Sequence, residues 1–248
     1  SLRQTFGPLF WAETSFAVVP SYYIREYYDR DMDIRTGCDY ESRTFEGKLR
    51  CKTPWCTYLY PFAQFKTLYY NRYFTEFDAE WITFGIAAEQ FLSRRWLVSG
   101  SYRFTTSDNV GGGGLTAASQ VDPMMEDTEY GDGGFEEDEF RVSASYRPRK
   151  LLGARWEFSA NSRLRIRNYT TQNSLEFDPI HAGRKDTRWE MEPEVSVRIL
   201  KPLWVTARFG YEVRDTDTKV DYVREFKEFV RRVYAVNLEY RLLPLSKK

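Results

Sequence analysis

Cysteine, histidine and net charge are what this 248-residue chain has least of: three Cys, one His and a formal charge of zero. Each scarcity removes a class of function. Cys38, Cys51 and Cys56 share one short region, and the only histidine, His181, lies far from them in sequence. A zinc site gathers about four N or S ligands, so no metal and no cofactor is expected. An oxidising compartment would allow one disulfide among the three thiols and leave one over. The 36 basic and 36 acidic side chains cancel, so bulk charge gives no reason to expect nucleic acid as a partner. Mean hydropathy is −0.60, and no run approaches the ~18 apolar residues of a membrane helix. Gly111 to Gly114 precede no Lys-Ser pair, which excludes a phosphate-binding loop. Ser1 to Leu9 has no basic segment leading into an apolar core, so no signal peptide is read there and the chain is expected to be a mature product.

What is present is alternation. From Trp156 to Arg167, one series is Trp156, Phe158, Ala160, Leu164 and Ile166. The other is Glu157, Asn161, Arg163, Arg165 and Arg167. Successive side chains of a strand point to opposite faces, so this is a strand with one apolar and one charged face. The same pattern predicts strands at 79–92, 96–106, 135–147, 154–169, 185–200 and 203–214, and a last one ending near Leu242. In the first third, Phe16 to Arg25 and Leu59 to Tyr69 alternate, and a further strand is expected near Tyr40 to Leu49. The total is ten, with eight as the next choice. Pro20, Pro61 and Pro193 fall inside these strands, where bulges or shifted boundaries are expected, because proline removes a ladder donor.

A face rich in Tyr, Trp and Phe opposite a face carrying both charges suits a transmembrane β-barrel, with lipid outside and a polar network inside. Aromatics make up 17% of the chain, as expected of belts at membrane interfaces. Short and long connections alternate. Turns at Ser93, Pro148 and Lys201 are expected to be periplasmic, and loops 107–134, 170–183 and 215–220 to face outward. The fold class expected is all-β, one antiparallel barrel domain over residues 1–248.

The lumen is expected to hold Arg103, Arg141, Arg163, Arg165, Arg167, Arg198 and Arg208 with Glu139, Glu157, Glu190, Glu192, Glu194 and Glu212. A barrel of eight to ten strands is narrow enough for side chains to fill much of it. Bidentate Arg–carboxylate pairing favours an interlocked core that closes the lumen. An Arg-lined path for an anionic solute or polymer is the alternative. A catalytic alternative, a lipid-modifying enzyme, would need His181 as base with Ser174 and Asp178. All three fall in a loop expected to be solvated, and no catalysis is expected. Asp31 to Thr53 and the acidic stretch Val121 to Glu139 are the candidate interaction surfaces.

The order strand, basic-aromatic turn, strand ending Ser101-Tyr102-Arg103-Phe104, then a Gly- and Asp-rich loop carries a resemblance. So do His181-Ala182-Gly183-Arg184-Lys185-Asp186, Phe209-Gly210-Tyr211 and the ending Asn237-Leu238-Glu239-Tyr240-Arg241-Leu242. Over residues 79 to 242 the chain resembles bacterial outer-membrane β-barrel proteins, including barrels linked to exopolysaccharide operons and barrels fused to helical-repeat periplasmic domains. The resemblance implies an outer-membrane location and lipid and lipopolysaccharide as surroundings. It also implies protein partners in an envelope complex and a role as an anchor or assembly component.

Overall fold

The structure is a computed structural model. It describes residues 2–9, 12–25, 40–53, 55, 57–70, 78–111, 132–148, 151–200 and 202–240; of 2–17 and 25 it describes the backbone path alone. Eleven strands form one antiparallel sheet in chain order. They are β1 (Leu2–Leu9), β2 (Ala12–Arg25), β3 (Tyr40–Lys52), β4 (Thr57–Tyr70), β5 (Ala79–Phe91), β6 (Trp96–Asn109), β7 (Phe135–Tyr146), β8 (Arg155–Tyr169), β9 (Lys185–Leu200), β10 (Leu203–Asp217) and β11 (Phe229–Tyr240). One helix, α1 (Asp221–Lys227), precedes β11.

All ten expected strands are present, and β1 precedes them. Gly7-Pro8 interrupts its alternation, and its pairing with β2 shifts between Phe6 and Leu9, so its periodicity was the weakest in the chain. Helix α1 falls in the segment expected to open the last strand, and its apolar residues Tyr222, Val223 and Phe226 follow helical rather than strand spacing. Val223 is fully buried there against Ile180. Asp221 in the first turn and Arg224 and Lys227 in the last complement the helix dipole.

The prolines cause no bulges. Pro61 pairs in register with Ile86 on β5, and Pro193 with Ala160 on β8. The ladder lapses only on the other side of each. Lys48↔Phe62 is followed by Cys51↔Leu59, and Arg208↔Glu194 by Tyr211↔Met191. The missing N–H is lost on one side and the register continues unchanged.

The sheet is curled. One cavity of about 690 Å³ is lined by residues from each of β5 to β11. Seven strands laid flat would span ~29 Å at ~4.8 Å per strand, too wide for one cavity to touch both ends. No pairing joins β1 to β11 among the described residues. Both run in the same direction, as an odd number of antiparallel strands requires.

Outside, the large apolar side chains stand exposed: Phe45, Phe65, Ile82, Phe84, Ile86, Phe140, Val142, Val236 and Leu238 among them. Aromatics pair across strands, as in Tyr102–Phe140, Trp96–Tyr146 and Phe209–Tyr234, with centroids 5.0, 4.5 and 5.2 Å apart. Inside, Gly85 admits the Phe62 ring. A Cβ at Gly85 would stand 2.4 Å from that ring and 2.9 Å from the Tyr102 carbonyl oxygen. Gly85→Ala is expected to destabilise the sheet by about 1–3 kcal/mol through overpacking, checked by denaturant titration.

Candidate functional site

The inner face is where the chemistry of the sequence gathers. Period-2 alternation points Arg103 on β6, Glu137, Glu139 and Arg141 on β7, and Arg163, Arg165 and Arg167 on β8 inward. Arg188 and Glu190 on β9, Glu212 on β10 and Arg231 on β11 share that face. These groups join into one chain of ion pairs across six strands. Glu139 holds Arg103 at 3.0 Å and Arg141 at 2.7 Å, with Arg163 at 3.9 Å. Arg163 also pairs with Glu190. Glu190 takes Arg165 at 3.3 Å and Arg188 at 2.9 Å. Arg188 passes to Glu212, and Glu212 to Arg231. Arg167 closes the near end on Glu137 at 2.8 Å and stacks on the Phe135 ring at 3.9 Å.

Above this lattice, at the end of the long loops, lies an aromatic layer. Lys66 sits over the Trp81 ring at 4.3 Å. Trp81 meets Phe135 at 5.5 Å, Phe135 meets Tyr169 at 6.4 Å, and Tyr169 meets His181 at 4.9 Å. Arg184 stacks on Tyr169 at 4.7 Å and grips Asp186 with two hydrogen bonds, of 3.0 and 2.7 Å. Arg214 reaches the same Asp186 at 2.6 Å.

A cap covers that layer. The connection 170–183, expected to be a solvated loop, tucks Asp178, Ile180, His181 and Ala182 inside. Asp178 accepts hydrogen bonds from the backbone N–H of His181 at 3.1 Å and of Asp132 at 3.1 Å. It also meets His181 Nδ1 at 3.0 Å. Burying a carboxylate is tolerated when its oxygens are this fully engaged. His181 is wholly covered, whereas Ser174 is exposed. The histidine sits in a structural network, out of reach of an external substrate.

The 690 Å³ cavity is lined by Ser99, Ser101, Ser143 and Asn161 together with lattice members, and its Arg141, Arg163, Arg208 and Arg231 are matched by Glu89, Glu190, Glu192 and Glu212. Below it, a second space of about 730 Å³ is lined by Arg147, Arg155, Glu157, Glu194, Trp204 and Glu239. Among the described residues, the buried cap lies toward the loop end and the interior space toward the turn end.

Most of the expected lumen residues meet. Arg103, Arg141, Arg163, Arg165, Arg167, Glu139, Glu190 and Glu212 form the lattice. Arg208 and Glu192 make a looser pair at 3.5 Å, both about half exposed. Glu157 pairs instead with Arg147 at 2.6 Å. Glu194 lines the lower space, and Arg198 lies beside it, in register with Arg155 and Trp204.

Five members were not anticipated: Glu137, Arg184, Asp186, Arg188 and Arg231. Glu137 had been grouped with the acidic loop, but it is buried in β7. Arg188 and Arg231 carry a usable signal, since each shares the parity of inward neighbours on its strand. The two candidate interaction surfaces shrink accordingly. Residues 40–52 of the first are β3, and residues 135–139 of the second are the start of β7. Of their remaining parts, 31–39 and 121–131 lie outside the described residues. Cys51 is a free thiol on β3, so the expected disulfide does not include it. Cys38 and Cys56 lie outside the described residues.

No family model matches the chain, and no curated protein matches it.

Glu139 and Glu190 each meet three arginines, and Glu139 is the more buried, with its side chain 4% exposed. Glu139→Ala is expected to cost about 3 kcal/mol. It strands Arg141 and weakens the pairing of Arg103 and Arg163, and Arg103 and Arg141 keep enough water contact to place the loss at the lower end for a broken buried pair. Arg147→Ala, at an exposed pair, is expected to change stability by less than about 0.5 kcal/mol. Equal losses in a denaturant series would overturn the ranking.

Proposed function

We propose that the chain is a non-catalytic integral outer-membrane β-barrel that anchors or helps to assemble a larger cell-envelope machine, of the polysaccharide-export or surface-motility type. The observation that carries this reading is the division of the wall. Strands β6 to β10 turn mostly apolar side chains outward and mostly charged or hydroxylated ones inward. A soluble sheet would bury the first set and wet the second. Lipid reverses the requirement, and an arginine–glutamate interior satisfies itself without bulk water. Outer-membrane lipid and lipopolysaccharide are the surroundings this surface suits, with envelope proteins as partners.

The covered loop end beside β6 to β11 supports a scaffold over a conduit. Among the described residues, a path along these strands would have to cross the ion-pair lattice, the aromatic layer and the Asp178–His181 cap in turn. The open cavity below the lattice is the one observation favouring a narrow channel for anions. Its four arginines face four glutamates, so it offers no net positive field to concentrate an anion. The lipid-modifying reading suffers from the burial of His181, because a general base must reach the proton it takes.

Two measurements test the proposal. Val142→Arg, on the outward face, is expected to lower stability in bilayers by about 2–4 kcal/mol. Unchanged stability would reject lipid as the outer solvent. Purified protein in planar bilayers is expected to show little steady conductance; large, uniform steps would replace the scaffold reading with the channel.

A further inference from the structure

The zero net charge conceals a separation along the barrel axis. The five connections at the turn end contain Arg94, Arg95, Arg147, Arg149, Lys150 and Lys201 and no Asp or Glu. The five connections at the loop end hold 17 acidic against 7 basic residues. The turn end also exposes large apolar side chains, one or more at each of four separate hairpins. Trp55 is 73% exposed, Leu92 66%, Leu152 89% and Leu200 60%.

Two of these turns are tied by hydrogen bonds. The Ser93 hydroxyl accepts hydrogen bonds from the N–H groups of Arg95 and Trp96, at 3.1 and 3.2 Å. This fixes a turn that leaves Leu92, Arg94 and Arg95 exposed. In the β7–β8 turn, Leu151 and Ala154 exchange backbone hydrogen bonds, both of 3.1 Å. Leu152 and Gly153 between them have φ of 51° and 77°. A two-residue turn with both φ positive ordinarily takes Asn-Gly. Leucine there bears a left-handed backbone and exposes its side chain to whatever lies beyond the rim.

We propose that the turn rim docks on the anionic phospholipid headgroups of the leaflet at that end of the barrel. This rests on the membrane reading above. Basic groups beside exposed leucine or tryptophan suit the boundary where phosphates lie next to acyl chains. Repetition at four hairpins suits a continuous planar surface better than the single footprint of an acidic protein. The acid-rich loop end has no such attraction, so the charge axis also sets which way the barrel faces.

The test uses the whole protein refolded into phosphatidylcholine bilayers that carry spin-labelled lipid. Electron paramagnetic resonance then reads the motionally restricted fraction of spin-labelled phosphatidylglycerol against spin-labelled phosphatidylcholine. The wild type is expected to prefer phosphatidylglycerol by about 5-fold or more at low salt, each basic residue near the surface being worth about that factor. The preference should fall as salt rises. Arg94→Glu with Arg95→Glu is expected to bring it toward parity while the restricted fraction of phosphatidylcholine stays unchanged. Leu152→Asn, which suits the turn better, is expected to keep or raise stability in neutral detergent and to lower it in bilayers. Restricted lipid with no preference, or a preference that survives the double substitution, overturns the headgroup proposal and leaves the barrel reading standing; in the second case a protein lost from co-purification on the same substitution would identify an acidic partner. No restricted lipid of either kind overturns both.

Discussion

The inner ion-pair chain is the constraint on which the other features depend. From Glu137 to Arg231 it links β6, β7, β8, β9, β10 and β11 without leaving the inner face. An interior built this way frees the outer face to be almost wholly apolar. It also ties each strand to its neighbours by side chains as well as by backbone. The cost of desolvating so many charges is moderated by partial exposure, since Arg103 and Arg141 remain 36% and 49% exposed on their side chains. The lattice therefore works as a hydrated brace under a drier cap, where Arg184 and His181 are almost or wholly covered.

That division into brace, aromatic layer and cap explains how the loop end beside β6 to β11 is covered. The brace alone leaves gaps that water can enter. The aromatic layer fills them with rings, and each ring is held by a cation or by another ring. The cap then uses Asp178 to tie together the backbone of two connections, at Asp132 and His181. At the other end four of the five connections span four residues or fewer, and the interior space lies toward them.

Much of this was legible in the sequence because a strand writes its two faces directly as alternate residues. Ten strands and the lattice members Arg103, Arg141, Arg163, Arg165, Arg167, Glu139, Glu190 and Glu212 follow from parity alone. What parity does not encode was missed or misplaced. Strand β1 is broken by Gly7-Pro8, and α1 is only seven residues long, with its helical spacing confined to Tyr222, Val223 and Phe226. Glu137 belongs to an acidic run that continues into the strand, so composition concealed its inward position. The cap depends on contacts between connections distant in sequence, Asp132 with Asp178 and Ile180 with Val223, and no local pattern announces them. The prolines misled in the opposite direction, since their lost donors fall on one side and leave register untouched.

The spacing of the inner charges bears on how the strands find their partners. On β8, arginine recurs at 163, 165 and 167, facing glutamate at 137 and 139 on β7. Sliding β8 by two residues would still set arginine against glutamate and keep every face correct. A slip of one would be fatal, because it exchanges the faces. The ion-pair ladder thus rejects odd errors and is nearly blind to even ones. Discrimination between the remaining alignments of β8 falls to other contacts: the Leu151–Ala154 turn, the Tyr146–Phe158 ring contact and the stacking of Arg184 on Tyr169. Proofreading of the fold therefore resides in its hairpin tips and its rings, and the most conspicuous charges supply strength without supplying address.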